Sequence, residues 1–379
     1  MKLDTFRYQS GAWSRPFPDL DSERTMVLAF AAPSFAAQPM VMIELAAAYP
    51  RAAMIGCSTA GEIDQTQIRD ESMVVAVVRF ERTRVRQAEA RIESEADSYA
   101  AGTRLAAELL SPELRAVLVL APGTGVNGRA LVAGLSGRLP ARVVVSGGLA
   151  ADGQRFGPTW AVASGRIEPR EVVAVGLYGD HVRVSRGAGG GWKPYGEDCV
   201  VTRAKGNVVY ELDHRPALAR YRQLLGDAAG LLPGLPGTLP RFPLSLRASA
   251  DEDRRVMRTV IGVDEAAQSL TLAAEVLAGS YAQVMHAEVE PLVQAAQGAG
   301  AAASGRFEGP VLCIAISCVG RRMALGARSE EETQATLEAL PVGTAQVGFY
   351  SYGEIAQDRA GQCELENEMV ALTVLGEST

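Results

Sequence analysis

Three stretches of the chain repeat one order of apolar and polar positions. A short apolar run is followed by helical spacing, a proline, a second short apolar run, and then glycine with small or hydroxylic residues. The first stretch uses residues 26–30, 40–49, Pro50 and 52–55, then Gly56-Cys57-Ser58-Thr59-Ala60-Gly61-Glu62. The second uses 117–120, 130–139, Pro140 and 142–145, then Ser146-Gly147-Gly148. The third uses 311–316, 331–340, Pro341 and 345–347, then Gly348-Phe349-Tyr350-Ser351-Tyr352-Gly353-Glu354. Strand, helix and strand in close succession predict a βαβ unit, since parallel strands need a crossover of this length. Proline ends each helix because the residue before it avoids the helical region. Glycine then permits a sharp turn and leaves main-chain N–H groups open.

The first and third stretches agree most closely. Residues 56–63 and 348–355 share the pattern G-x-x-x-x-G-E-I, and each precedes a run that starts Met-Val, at 73–80 and 369–375. An ancient duplication accounts for the match. Between them, residues 159–166, 171–178 and 181–185 read as a β-meander that turns at Gly179-Asp180. Residues 199–212 read as a strand pair turning at 205–207, and 216–225 as a helix. Residues 226–243, dense in Gly and Pro, read as a linker and hinge. A hairpin over 255–263 and 269–275 and a helix over 288–303 follow. The composition changes near Arg215. The expected fold is therefore α/β of the mixed α+β kind, in two domains with repeated βαβ units, mixed sheets and a β-meander. The domains are 25–215 and 216–358, and 359–379 supplies a strand that completes the C-terminal half.

Composition narrows the function. With 379 residues, 47% apolar and 21% charged, the chain is globular rather than disordered. A net charge of −7 gives no field to draw nucleic acid or an anionic membrane. Five cysteines, an odd number, do not make a disulfide framework and fit a reducing compartment. The first 25 residues are rich in charge and hold no apolar core of the kind a signal peptide needs. A soluble, cytoplasmic protein is expected.

Candidate chemistry is sparse. Gly123-Thr124-Gly125-Val126-Asn127-Gly128 is a literal G-x-G-x-x-G after a strand and before a helix. A dinucleotide site also needs an acid about 20 residues on. Here the nearest, Asp152, lies beyond a glycine turn, so a plain strand-to-helix turn is the better reading. Cys57 stands where backbone dipoles favour a thiolate, but no histidine is placed beside it. The histidines, His181, His214 and His286, lack metal-ligand spacing; each suits a surface position, or a haem axial ligand if an apolar slot surrounds it. Glu62 and Glu354 are matched acids at strand-end turns, able to bind a ligand amine or to cap backbone N–H groups. Arg321 and Arg322 are either a carboxylate clamp or a solvated pair.

The segment Gly56-Cys57-Ser58-Thr59-Ala60-Gly61-Glu62-Ile63 resembles the signature of the FIST sensory family, which has N-terminal and C-terminal FIST domains. The segments Cys318-Val319-Gly320-Arg321-Arg322 and 348–355 resemble the signature of the C-terminal half. The stretches 147–153 and Gly191-Trp192 are similar to further N-terminal landmarks. The resemblance implies a signal-transduction input module that binds a small ligand, such as an amino acid, without catalysis. It implies a partner on a separate chain, a histidine kinase or a cyclic-nucleotide signalling enzyme. Cys57, Ser58, Thr59, Gly61, Glu62, Gly147, Gly148, Arg321, Ser351, Tyr352 and Glu354 are the ligand-site candidates. The alternatives are a haem-binding nitric-oxide sensor controlling a histidine kinase, and an enzyme that uses Cys57. This chain has Leu365-Glu366-Asn367 where many members carry histidine in the middle position, which weakens a haem ligand there.

Overall fold

The computed structural model describes residues 1–231, 241–252, 254–357 and 361–378. All three expected βαβ units are present. Thr25–Ala31 and Ala53–Ser58 run parallel around the helix Pro39–Ala48. Leu114–Ala121 and Val144–Leu149 do so around Gly128–Ser136. Leu312–Cys318 and Ala345–Ser351 do so around Ser329–Glu338. Each unit is extended on one side by two antiparallel strands. These are Ser72–Arg79 and Lys2–Gln9 in the first, Glu171–Tyr178 and Arg84–Arg91 in the second, and Val370–Glu377 and Val182–Gly189 in the third.

The other side of each unit is closed by a hairpin from a different unit. The hairpin Glu62–Asp64 with Gln67–Arg69 follows the first unit but pairs with Ala345–Ser351 of the third. Gly353–Gln357 with Cys363–Glu366 follows the third and pairs with Val144–Leu149 of the second. Ala161–Ala163 with Arg166–Glu168 follows the second and pairs with Ala53–Ser58 of the first. The exchange is cyclic and gives the three sheets one pseudo-threefold order. Three matching backbone bonds tie the turns together at the centre. Ala60 N–H donates to the Tyr350 carbonyl at 2.8 Å, Ala151 N–H to that of Ser58 at 2.9 Å, and Tyr352 N–H to that of Leu149 at 3.2 Å.

Because every strand of the units is covered on both faces, alternation gives way to continuous apolar runs. One core takes Met26 and Leu28 from the first sheet, Leu118 and Leu120 from the second, and Ile314 and Ile316 from the third. Gly56, Gly147 and Gly348 occupy equivalent places in the units. A Cβ there would stand 2.0, 1.8 and 1.7 Å from the carbonyl oxygens of Ala29, Val119 and Ala315 on the neighbouring strand. Only glycine lets the paired strands meet at these points.

Residues 193–286 form a separate, antiparallel eight-stranded sheet inserted between the second and third units. Its core includes Val201, Leu212, Leu218, Tyr221, Leu270 and Val284, with the helix Ala217–Leu225 packed on it. The hairpin expected near 255–275 is here, as Val260–Asp264 with Ser269–Leu272. Arg215, where the composition changes, lies inside this sheet in the strand Arg215–Pro216. The expected β-meander is corrected. Its three segments enter three different sheets, because each finds its antiparallel partner elsewhere: Ala53–Ser58, Arg84–Arg91 and Val370–Glu377. Of the expected hinge at 226–243, residues 232–240 lie outside the described residues; Gly226–Leu231 is a 3-10 helix.

Candidate ligand-binding site

The two matched acids are spent on the fold. Glu62 accepts hydrogen bonds from the Thr59 hydroxyl and from the Ser72 N–H and hydroxyl, the latter at 3.2 and 2.6 Å. Glu354 is bonded in the same way by the Ser351 hydroxyl and by the Met369 N–H at 3.2 Å. Each carboxyl therefore ties its turn to the start of the antiparallel strand of its own unit. Burial pushes the Glu62 carboxyl up to about 7, partly offset by these bonds, and pushes that of Glu354 up as well. Neither lines any of the cavities described below.

The other candidates are equally enclosed. Cys57 is fully buried in the central core, where desolvation first and the Glu62 charge second raise its thiol, so it is held as the poor nucleophile. Ser58 accepts the Trp160 N–H at 3.2 Å, and the Thr59 hydroxyl accepts the Gly61 N–H at 3.2 Å. Gly61 at φ 125 lies under the guanidinium of Arg322, which bonds the Ala60 carbonyl and Asp70. Gly147 and Gly148 pair with Ile355 and Glu354 across the second sheet. Arg321 is neither a clamp nor solvated. It is fully buried, paired with Glu332 at 2.5 Å, and bonded to the carbonyls of Gly190 and Leu292. An internal ion pair of this kind is held by its complete set of partners. Tyr352 does face a cavity, taken up below.

The His181 ring meets the Arg82 guanidinium at 3.4 Å, His214 is exposed in a turn, and His286 lies 3.8 Å from Glu288. None of the three lines a cavity described here.

A largely apolar cavity of about 360 Å³ sits where the inserted sheet meets the second and third units. Its floor is Val145, Ile355, Met369, Ala371 and Leu372. Its polar residues include Ser146, Arg186, Arg254, Arg255, Glu364 and Glu366. Arg254 pairs with Glu364 at 3.2 Å and donates to Gln362 at 2.6 Å; Arg255 donates to Gln283 at 3.1 Å. Arg186 donates to the Gln357 carbonyl at 3.1 Å. Burial pushes the Glu366 carboxyl up to about 7 against the opposing pull of Arg258. Arginines and carboxylates over an apolar floor suit a small ligand carrying both charges.

Residues 25–215 match the FIST N domain and residues 217–357 the FIST C domain. The chain belongs to the FIST family. FIST domains are associated with signal-transduction sensing of small ligands. An uncharacterized protein of Mycobacterium tuberculosis is 28% identical over 235 residues, 59% of each chain, so the match spans 59% of that relative's length. An uncharacterized protein of Methanocaldococcus jannaschii is 32% identical over 85 residues, 22% of this chain and 16% of that one. Among solved structures, a cyanuric acid hydrolase from A. caulinodans matches over 93% of this chain and 90% of that one, at TM-score 0.31 and 10% identity. Among the described residues, no helix is long and apolar enough to cross a membrane.

Proposed function

We propose that this FIST protein is a cytoplasmic sensor that takes an α-amino acid into the 360 Å³ cavity and regulates a signalling protein on a separate chain. The observation that carries this reading is the pairing of opposite charges over one apolar floor. Arg254 and Arg255 meet the ligand carboxylate, Glu364 and Glu366 its ammonium, and Ile355, Met369 and Leu372 its side chain. Family membership supports sensing rather than catalysis, and the buried, protonated Cys57 supports the same choice. Five cysteines, an odd number, fit a reducing compartment.

The cavity's position suggests how binding is transmitted. Arg254 and Arg255 precede the strand Val256–Arg258 of the inserted sheet, whereas Glu364 and Glu366 belong to the hairpin that closes the second sheet. Three bonds already hold this junction: Arg258 to the Leu365 carbonyl at 3.2 Å, Thr259 to Glu368 at 2.6 Å, and Trp192 to the Glu368 carbonyl at 2.7 Å. A ligand bridging the two sides favours the docked arrangement by its contacts to both, which is what a switch requires. A histidine kinase or a cyclic-nucleotide enzyme is the class of partner that would read the docked surface.

The test is calorimetric titration of the full chain with the common amino acids. One or a few are expected to bind, with affinity falling about tenfold or more in Arg255→Ala and in Glu366→Gln, each of which removes one charge-assisted contact. Binding that ignores both substitutions rejects the cavity as the sensing site.

A further inference from the structure

A second cavity, of about 380 Å³, shares no lining residue with the first. It opens beyond the carboxyl end of Leu114–Ala121, where ligands of α/β sheets gather, and the turn at 123–128 there faces Asn207 and residues 273–275 of the inserted sheet. The glycines of that turn serve packing. A Cβ on Gly123 would stand 1.9 Å from the Ala150 carbonyl oxygen and 2.6 Å from the Tyr352 ring, and one on Gly128 2.8 Å from Leu365. Gly125, at φ 73, has open space before it.

The wall of this cavity is an aromatic stack. The rings of Phe156 and Tyr352 lie 4.7 Å apart and 16° from parallel. The Tyr352 hydroxyl is anchored by the Asp152 carboxylate and accepts the Phe156 N–H at 3.1 Å, so the pair is fixed before any ligand arrives. Phe156 adopts φ 50, the left-handed region that bulky residues avoid, and its ring is still 40% exposed. Unfavourable backbone that holds an aromatic face open to a cavity is the kind of strain found at binding sites.

Charge decides the class of ligand. The lining includes the acidic residues Glu95 and Glu275 and no lysine, arginine or histidine. No cationic side chain stands in this lining to hold a pyrophosphate and two acids stand against it, so the G-x-G-x-x-G spelling does not make this a dinucleotide site. We infer that the cavity binds a flat cation, an aromatic amine or amidine, which stacks on Phe156 and turns its N–H groups to Glu95 and Glu275.

Benzamidine is the probe, titrated calorimetrically into the full chain, with benzoate as its anionic counterpart of equal shape. Benzamidine is expected to bind one per chain, with benzoate at least about tenfold weaker. Phe156→Ala should weaken benzamidine about tenfold and Glu275→Gln about threefold, the scale of one stacked cation and one solvent-exposed ion pair. Phe156→Trp should preserve binding, and Arg255→Ala, in the other cavity, should leave it unchanged. Failure of benzamidine to bind, equal affinity for benzoate, or indifference to both Phe156→Ala and Glu275→Gln overturns the assignment.

Discussion

Single residues explain why the paired motifs carry the letters they do. Gly348 permits a strand contact in which a methyl group would stand 1.7 Å from the Ala315 carbonyl oxygen. Gly348→Ala is expected to cost about 3 kcal/mol or more, measured as a lower urea midpoint at unchanged slope. The buried carboxyls give the protein an unusual pH response. Burial pushes Glu62 up to about 7 and Glu368 up to about 8, from an ordinary value of 4.5. Between pH 4.5 and those values the folded chain keeps protons that the unfolded chain has released. These groups therefore add stability at low pH that is lost as pH rises through 7 and 8, by up to about 1.4 kcal/mol per pH unit for each. Glu377 acts oppositely. Burial raises its carboxyl, but the N–H groups of Glu81, Arg82 and Thr83 outweigh that and hold it at about 2, so its contribution fades only as pH falls from 4.5 toward 2. Maximum melting temperature is expected near pH 4.5, where the loss from Glu377 on the acid side meets the loss from Glu62 and Glu368 on the alkaline side. Glu368→Gln should flatten the decline above pH 6; an unaltered slope would assign that decline to other groups.

At the scale of elements, the hairpin given by the first unit to the third is fastened by Arg322. Its guanidinium bonds the Ala60 carbonyl at 2.5 Å and Asp70 at 2.7 and 2.8 Å, and it lies 5.6 Å from the Tyr350 ring centre. Arg322→Ala is expected to destabilise by about 2 kcal/mol, mostly through the carbonyl bond and the ring contact, since Asp70 is largely exposed. Asp70→Asn should cost well under half of that in the same denaturation assay. The βαβ units themselves were legible in the sequence, because runs such as residues 26–30 and 311–316 are apolar at every position and a proline marks each helix end. Where each hairpin goes was not legible. Residues 62–69 follow the strand-end turn, and nothing in their spacing marks them as a hairpin or says whose edge they join. The second unit hid its kinship for a local reason. The loop over residues 150–160 separates Gly147 from Ala161, which takes the place that Glu62 and Glu354 hold in the other units. The charged cavity was invisible for another reason: Arg254 and Glu366 are far apart in the chain and belong to no spaced motif.

For the whole molecule, cyclic exchange makes the N-terminal and C-terminal parts depend on each other. The hairpin at 62–69 completes a sheet built mostly from residues after 310, and the hairpin of Gly353–Gln357 with Cys363–Glu366 completes one built from strands between residues 84 and 178. Separately expressed fragments 1–215 and 216–379 are expected to stay unfolded or aggregate alone and to assemble when co-expressed, as read by co-purification and by a shared cooperative melt. A fragment 1–215 that melts cooperatively by itself would show that the exchanged strands add little.

A ring in which each unit finishes its neighbour has no member that is first or last. One unit made as an isolated peptide would carry a hairpin with no edge of its own to join, and copies of that peptide could satisfy one another only by closing into a trimer. The present chain has the form such an ancestral trimer would take once its three genes were fused and one junction had received an extra sheet.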